Sequence, residues 1–170
     1  FDICRELRHM SPQLPIIFLT ARDSDIDRVS GLRLDALDYI TKPVNLQFLG
    51  VRVASFFRIA STLSNALDEE PILLRLGDLE LNEASLSVSW KAQPLNLTLT
   101  EFWVVEALAH NVGKVKNYDA LMQVTKQSFV EKNTINGYIR RIRKKFKQVD
   151  SDFQHIETVF GTGYRWHKDP

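Results

Sequence analysis

Residues Asn133–Lys147 read NTINGYIRRIRKKFK. Placed on a helix, Ile135, Ile139, Ile142 and Phe146 recur at steps of four, three and four. That makes one apolar stripe, wide enough to dock on a core. The opposite face carries Asn136, Gly137, Arg140, Arg143, Lys144 and Lys147, with Arg141 at its border, and no acid interrupts the run. Guanidinium and ammonium groups gathered without carboxylates create a positive field, and the chemistry it serves is the grip of a polyanion. A solvated basic face has the same composition. The neighbouring sequence must decide between the two.

Composition narrows the choices. A chain of 170 residues holds one large domain or two small ones. Hydrophobic residues at 44% and charged residues at 25% are ordinary for a soluble globular chain. Net charge is only +1, so polyanion affinity must come from local clustering, and Asn133–Lys147 is that cluster. Cys4 is the only cysteine, which excludes an internal disulfide framework and a cysteine-based metal site and suits a reducing cytoplasm. Apolar runs fall far short of the ~20 residues of a membrane span, and no signal peptide is seen. Phe1 reads as mid-helix, so a piece of a longer protein is expected. The four histidines are scattered, and no Ser/His/Asp set, carboxylate pair or phosphate-cradling glycine loop is present. No enzyme, and no cofactor or metal in this fragment, is expected.

The elements that position the basic helix begin with βαβ units. Phe1, Ile3, Cys4 and Leu7 outline a short amphipathic helix. Ser11-Pro12 and Pro15 bracket a turn, and Ile16–Leu19 is a continuous apolar run, the mark of a strand buried on both faces of a parallel sheet. Ser24 with Asp27 can cap a helix reaching Leu32. Leu34, Ala36, Leu37, Tyr39 and Ile40 make a second strand, and Asn45 can cap a helix burying Leu46, Leu49, Val53, Phe56 and Phe57. Strands alternating with helices predict a parallel α/β sheet.

PIIFLTAR followed by GLRLDALDYITKP resembles the second half of a CheY-like response-regulator receiver, a doubly wound, flavodoxin-like fold whose active site lies at the carboxyl ends of the strands. The resemblance implies that Thr20 is the hydroxyl that bonds an aspartyl phosphate and Lys42 the lysine that pairs with it. It implies a cis peptide before Pro43, and Tyr39 as the aromatic that turns inward on switching. The acidic pair that holds Mg²⁺ in a complete receiver, and the phosphate-accepting aspartate, belong to the half not seen here. The fragment is therefore expected not to take up phosphate, and its first strand to have an open edge. Within the OmpR/PhoB subfamily, Asp38 and Arg52 match a salt bridge of the receiver dimer face. Phe48 and Leu37 depart from the usual acids, and point either to a greasier dimer face or to loss of the usual dimer.

Ala60–Pro71, ASTLSNALDEEP, reads as a flexible linker, dividing residues 1–59 from 72–170. Beyond it, Leu73–Leu81 alternates around Gly77-Asp78, and Leu86–Trp90 and Leu95–Leu99 alternate again, giving three or four short antiparallel strands. Thr98 with Glu101 is a capping box, and Leu97 with Phe102 a hydrophobic staple, for a helix burying Phe102, Val105, Leu108 and Trp103. Asn117 can cap YDALMQVT, a polar loop Lys126–Lys132 follows, and after the basic helix His155–Phe160 and Tyr164–His167 flank Gly161-Thr162-Gly163 as a hairpin.

This order, an α+β unit with LTLTEF, TIN…IRRIRKK and GTGYRW, resembles the winged helix-turn-helix output domain of OmpR/PhoB regulators, and most of all the subgroup associated with proteobacterial sortase systems. The resemblance implies that Thr134, Asn136, Gly137 and Arg141 face base edges, and that Tyr138, Arg140 and Arg143 contact phosphates. Lys144, Lys147 and Arg165 add to that grip. Gly137 either lets the backbone approach the groove floor or is a tolerated surface glycine. Phe160 stands where relatives often carry a minor-groove arginine, and is expected to pack on the hairpin rather than act as an apolar wedge. The function implied is a two-component transcription regulator: a sensor histidine kinase phosphorylates the receiver, the chain forms a homodimer, and two winged helices bind double-stranded DNA. RNA polymerase is a further partner and a membrane is not. A protein-interaction module, whose receiver remnant docks partners without phosphorylation control, is the alternative. RNA binding is less favoured by a long major-groove helix.

Overall fold

A computed structural model describes residues 2–12, 14–21, 36–44, 46, 49–50, 53–54, 73–83, 85–125 and 132–168. The helix expected from Ser24, Phe48, Arg52, the linker 60–71 and residues 126–131 lie outside the described residues.

The first part contains helix α1 (Asp2–Met10), strand β1 (Ile17–Thr20) and strand β2 (Asp38–Thr41). β1 and β2 pair in parallel, with Ile17 opposite Asp38 and Thr20 opposite Thr41. The parallel sheet is as expected, but β1 is not buried on both faces: Leu19 is 45% exposed. Among the described residues β1 has β2 as its one strand partner. Leu46, Leu49, Gly50, Val53 and Ala54 are helical, as the apolar spacing predicts.

The second part opens with a four-stranded antiparallel meander: β3 (Leu73–Leu76), β4 (Leu79–Asn82), β5 (Ser87–Trp90) and β6 (Gln93–Leu95). β6 comes earlier than the alternation at Leu95–Leu99 predicts. Leu97 and Thr98 already lead into the next helix, whose first residue is Leu99. Alternation inside the meander is strict on β4, where Leu79 and Leu81 face the core.

Helix α2 (Leu99–Ala109) is buried almost all round, including Phe102, Trp103, Val104, Val105 and Leu108. Its start is the predicted capping box: the Glu101 amide donates to Thr98 Oγ1 and the Thr98 amide to Glu101 Oε2. Strand β7 (Lys116–Asn117) and helix α3 (Tyr118–Val124) follow, with Asn117 Oδ1 capping α3 through the Ala120 amide. The basic helix α4 runs Lys132–Val149, a turn longer than its apolar stripe requires. Strands β8 (Ile156–Val159) and β9 (Gly163–Trp166) form the hairpin, and β7 pairs with β9 to make a three-stranded sheet that the sequence reading did not anticipate. Gly163 permits that pairing, because a Cβ there would drive into the Lys116 carbonyl oxygen.

Two polar locks join these layers. Glu101, with none of its surface exposed, accepts from Lys145 Nζ at 2.5 Å while it caps α2. Just past the end of α4, Asp150 accepts from the Trp90 indole at 3.0 Å and pairs with Lys91 at 2.8 Å. Around the second lock, Trp90 sits edge-on to Phe146, Phe153 and Trp166, with centroids 5.2 to 6.2 Å apart. Such contacts add ~0.5–1.5 kcal/mol each beyond the burial of the rings.

Glu101→Gln keeps an acceptor for the cap but removes the charge that holds Lys145. It should lower unfolding stability by about 1–3 kcal/mol, less than additively with Thr98→Ala, in chemical denaturation. A second outcome concerns acid. The Asp150 carboxyl is held below its ordinary 3.8, first by Lys91 and then by Trp90, and Glu157 below 4.5, first by Arg165. A depressed carboxyl adds stability above its unfolded pKa and loses it as pH falls through the folded value. Stability should therefore decline progressively below about pH 4, and Asp150→Asn should flatten that decline in urea melts.

Candidate nucleic-acid interface

Helix α4 turns its apolar stripe fully inward. Ile135, Ile139, Ile142 and Phe146 are each at most 1% exposed. The stripe is broader than the sequence reading drew it, because Tyr138 is 0% exposed and Thr134 6%. Tyr138 lies three residues after Ile135 and four before Ile142, so it shares their face. This corrects the phosphate role expected of Tyr138, since a ring inside the core does not reach a phosphate. Thr134 offers a ligand only a narrow edge.

The outer face is a row at steps of three and four: Asn133, Asn136, Arg140, Lys144 and Lys147, all exposed. Among the described residues Arg140, Lys144 and Lys147 have no ion-pair partner. Beside this row is an open concavity of about 650 Å³, lined by Asn133, Thr134, Asn136, Gly137, Arg140 and Arg141. Thus Asn136, Gly137 and Arg141, expected to face base edges, are brought together at one hollow. Gly137 needs no space on the protein's account: a Cβ there would meet Arg141 Nη1 at 3.5 Å, an ordinary contact.

The remaining cations have other duties. Arg143 donates from Nε and Nη2 to the Ile156 carbonyl at 3.1 and 2.7 Å, and from Nη2 to Thr158 Oγ1 at 2.9 Å. Its guanidinium also lies 5.6 Å from the centre of the Tyr164 ring. It ties α4 to β8 through Nε and Nη2, a structural duty that charge alone does not announce. Arg165 donates to Glu157 at 2.6 Å, so its charge is neutralised within the hairpin. Arg141 stacks over Tyr138, 4.7 Å from the ring centre, with Nε 3.6 Å from Glu101 Oε1. A second tie to the hairpin comes from Tyr164, whose hydroxyl donates to Asn136 Oδ1 at 2.8 Å and orients that carboxamide. Burial, then the Tyr118 hydroxyl, pushes the Tyr164 phenol up to about 12, so it keeps its proton at neutral pH. Tyr164, Lys145 and Glu101 escaped the sequence reading as parts of this site. The signal was available only for Tyr164, inside GTGYRW.

Phe160 is 91% exposed at the turn between β8 and β9. It does not pack on the hairpin, contrary to expectation: the turn closes through the Thr162 amide and the Val159 carbonyl, and the ring projects from it.

In the first part, Thr20 and Lys42 meet at the carboxyl ends of β1 and β2, where the Lys42 amide donates to the Thr20 carbonyl at 2.7 Å. The Lys42–Pro43 peptide is cis. Tyr39 is buried and tilts against Phe18 with centroids 5.9 Å apart. Asp38 is 1% exposed and accepts from the Tyr39 amide at 2.8 Å, and Leu37 is 2% exposed within the apolar core, while their expected neighbours on the dimer face, Phe48 and Arg52, lie outside the described residues. Elsewhere His110 contacts Glu83 at 2.9 Å with Glu106 3.9 Å away, so the histidines are not all isolated.

A helix-turn-helix with an acid-free cationic outer face, and a hairpin tied beside it, defines a winged-helix DNA-binding domain, here preceded by part of a receiver. Residues 92–166 match the C-terminal domain of transcriptional regulatory proteins, and residues 1–54 the response regulator receiver domain. Over 166 residues the chain is 33% identical to the transcriptional regulatory protein CreB of Escherichia coli K12, covering 96% of this chain and 71% of that one. It superposes on DrrB, an OmpR/PhoB homolog from Thermotoga maritima, with a TM-score of 0.51 at 29% identity, covering 98% of this chain and 72% of that one. The DNA-binding domain of the response regulator AdeR, solved with an intercistronic region, matches with a TM-score of 0.51 at 27% identity, over 56% of this chain and 98% of that one. The chain belongs to the OmpR/PhoB-type response regulators, the DNA-binding transcriptional regulators of two-component systems. That membership disfavours the interaction-module alternative. It does not extend to the sortase-system subgroup, which none of these relatives names. Among the described residues no helix is long and apolar enough to cross a membrane.

The division among cations has a direct check. Arg143→Ala should lower unfolding stability by about 1–3 kcal/mol through the orphaned Ile156 carbonyl, whereas Arg140→Ala should leave it within about 0.5 kcal/mol, by thermal or urea melts.

Proposed function

We propose that α4 enters the major groove with Asn136, Gly137 and Arg141 toward base edges, while Arg140, Lys144 and Lys147 hold phosphates. The carrying observation is the exposed, acid-free row from Asn133 to Lys147 beside the concavity at Gly137. A groove wide enough for one helix matches this face, and its cations supply the salt-dependent part of the affinity. Arg141 must slide from Tyr138 to reach a guanine, and Lys145 then keeps Glu101 paired.

For the complete protein, the proposal extends to a sensor histidine kinase that phosphorylates the receiver, and to homodimerisation that sets two winged domains on tandem half-sites. RNA polymerase is the next partner at the promoter, and the cytoplasm is the compartment. On this reading Thr20 and Lys42 hold the phosphoryl group and Tyr39 is the switch aromatic, within a domain spanning 1–59 that linker 60–71 joins to the output domain 72–170. The described carboxylates of the receiver part, Asp2 and Glu6 on α1 and Asp38 at the start of β2, do not fit the Mg²⁺ of a complete receiver, since none stands at the strand ends beside Thr20. No step is assigned to a metal.

Fluorescence anisotropy against the protein's own promoter duplex and a random duplex, across a salt series, tests the reading. Arg140→Ala should weaken both complexes alike and reduce the log–log salt slope by about one. Asn136→Ala should cost ~1–3 kcal/mol on the promoter duplex only. Equal binding of promoter and random duplex by the wild-type chain would overturn the proposal. Gly137→Ala adds a test of the concavity: the helix should gain about 0.5–1 kcal/mol of stability, while promoter affinity falls if the backbone must approach the bases.

A further inference from the structure

We propose that Glu83, Glu106 and His110 form a binding site for one divalent transition-metal ion of the zinc type, where the end of α2 meets the turn after β4. None of these residues is on α4, and the inference does not rest on the DNA-binding reading. Carboxylates gathered on a surface carry no such implication by themselves. Here the donor set, its charge and its mounting carry it together.

The donors are an imidazole and two carboxylates. His110 Nε2 stands 2.9 Å from Glu83 Oε1 and 3.9 Å from Glu106 Oε1. One donor atom from each of the three residues lies within 4.8 Å of the other two. Tetrahedral ligands at zinc bond lengths of ~2.0–2.2 Å are roughly 3.3–3.6 Å apart, so side-chain shifts of about 1 Å bring all three onto one ion. An imidazole nitrogen among the donors selects zinc-type ions over Mg²⁺ and Ca²⁺, whose preferred ligands are oxygen.

Charge points the same way. With the imidazole neutral, the two carboxylates place a double negative charge in this small space. The ring can offer an Nε2 proton to one carboxylate and leaves the second beside the first. A divalent ion at their centre neutralises both and takes the Nε2 lone pair, with the ring proton on Nδ1.

The ligands are mounted on ordered backbone. Glu106 and His110 are four positions apart, hence on one face of α2. The His110 amide donates to the Glu106 carbonyl at 2.9 Å, so the helical turn between them is intact. Glu83 follows Asn82, which pairs with Leu73 on β3 and with Ser87 on β5. Side-chain exposures of 22% for Glu83, 30% for Glu106 and 40% for His110 let an ion enter and water complete its coordination. Bound there, the ion pins the last turn of α2 to the meander, as Glu101 fixes the first turn.

Co²⁺ titrated into the metal-stripped full chain tests the site, because its d–d absorption reports coordination directly. Binding should be one-to-one, displaced by Zn²⁺ and unaffected by Mg²⁺ at equal concentration. His110→Ala should weaken it at least about 100-fold, and Glu83→Gln and Glu106→Gln each at least about ten-fold. The Gln variants keep the size of the side chain, so they report on ligation even where His110→Ala fails to fold. His9→Ala, which removes a histidine outside the site, should leave binding unchanged. A wild-type chain that binds no Co²⁺ overturns the proposal and leaves an ordinary contact between Glu83 and His110. Wild-type binding in the Gln variants overturns it, as does loss of binding in His9→Ala, since the ion is then held elsewhere. Displacement by Mg²⁺ overturns the assignment of a zinc-type ion.

Discussion

The second domain depends on one carboxylate. Glu101 completes the cap of α2, and its Oε2 also receives the Lys145 ammonium from the middle of α4. A charge with no exposed surface is costly unless it is paired, and here the cap amide and the Lys145 ammonium both meet Oε2, while Arg141 Nε stands 3.6 Å from Oε1. The consequence is geometric. α2 is the helix buried on nearly every face, so whatever is fixed to its first turn is fixed to the core. Through Lys145, and Arg141 beside it, the basic helix inherits that rigidity at its polar edge as well as along its apolar stripe. The basic face is thus held from two directions before any ligand arrives, which would lower the ordering cost of the binding proposed above.

The same carboxylate sorts the cations. Seven of the side chains with positive charge on α4 and the hairpin look interchangeable as text, but partners divide them. Lys145 and Arg141 lean on Glu101, Arg143 is committed to the hairpin backbone, and Arg165 is matched by Glu157. Arg140, Lys144 and Lys147 remain along the outer row. A chain with net charge of only +1 concentrates its field there, where it steers a polyanion without making the whole molecule sticky.

Much of this was legible in the residues. Periods of four, three and four located the buried stripe of α4, the Thr98–Glu101 spacing located the start of α2, and Asn117 located the start of α3, because each rests on local geometry that a short segment carries by itself. The failures share a different cause. β7 is two residues long and exists only because β9 lies beside it, and no local pattern announces such a pairing. Tyr138 was read by family position and not by its spacing from Ile135 and Ile142, which already placed it inside. The hold of Arg143 on a carbonyl thirteen positions away in sequence is likewise invisible to a local pattern. The exposure of Phe160 is a property of the assembled turn.

The Arg143 clamp has an implication for how such a domain changes over generations. Its strongest grip is on the backbone oxygen of Ile156, not on a side chain that selection could alter. Every amino acid offers that oxygen. The mount of the wing is therefore indifferent to most substitutions in the strands it holds, and the residues at the tip can be exchanged without retuning the helix alongside. A change at the tip leaves that mount in place, so the wing behaves as a replaceable bit in a fixed chuck.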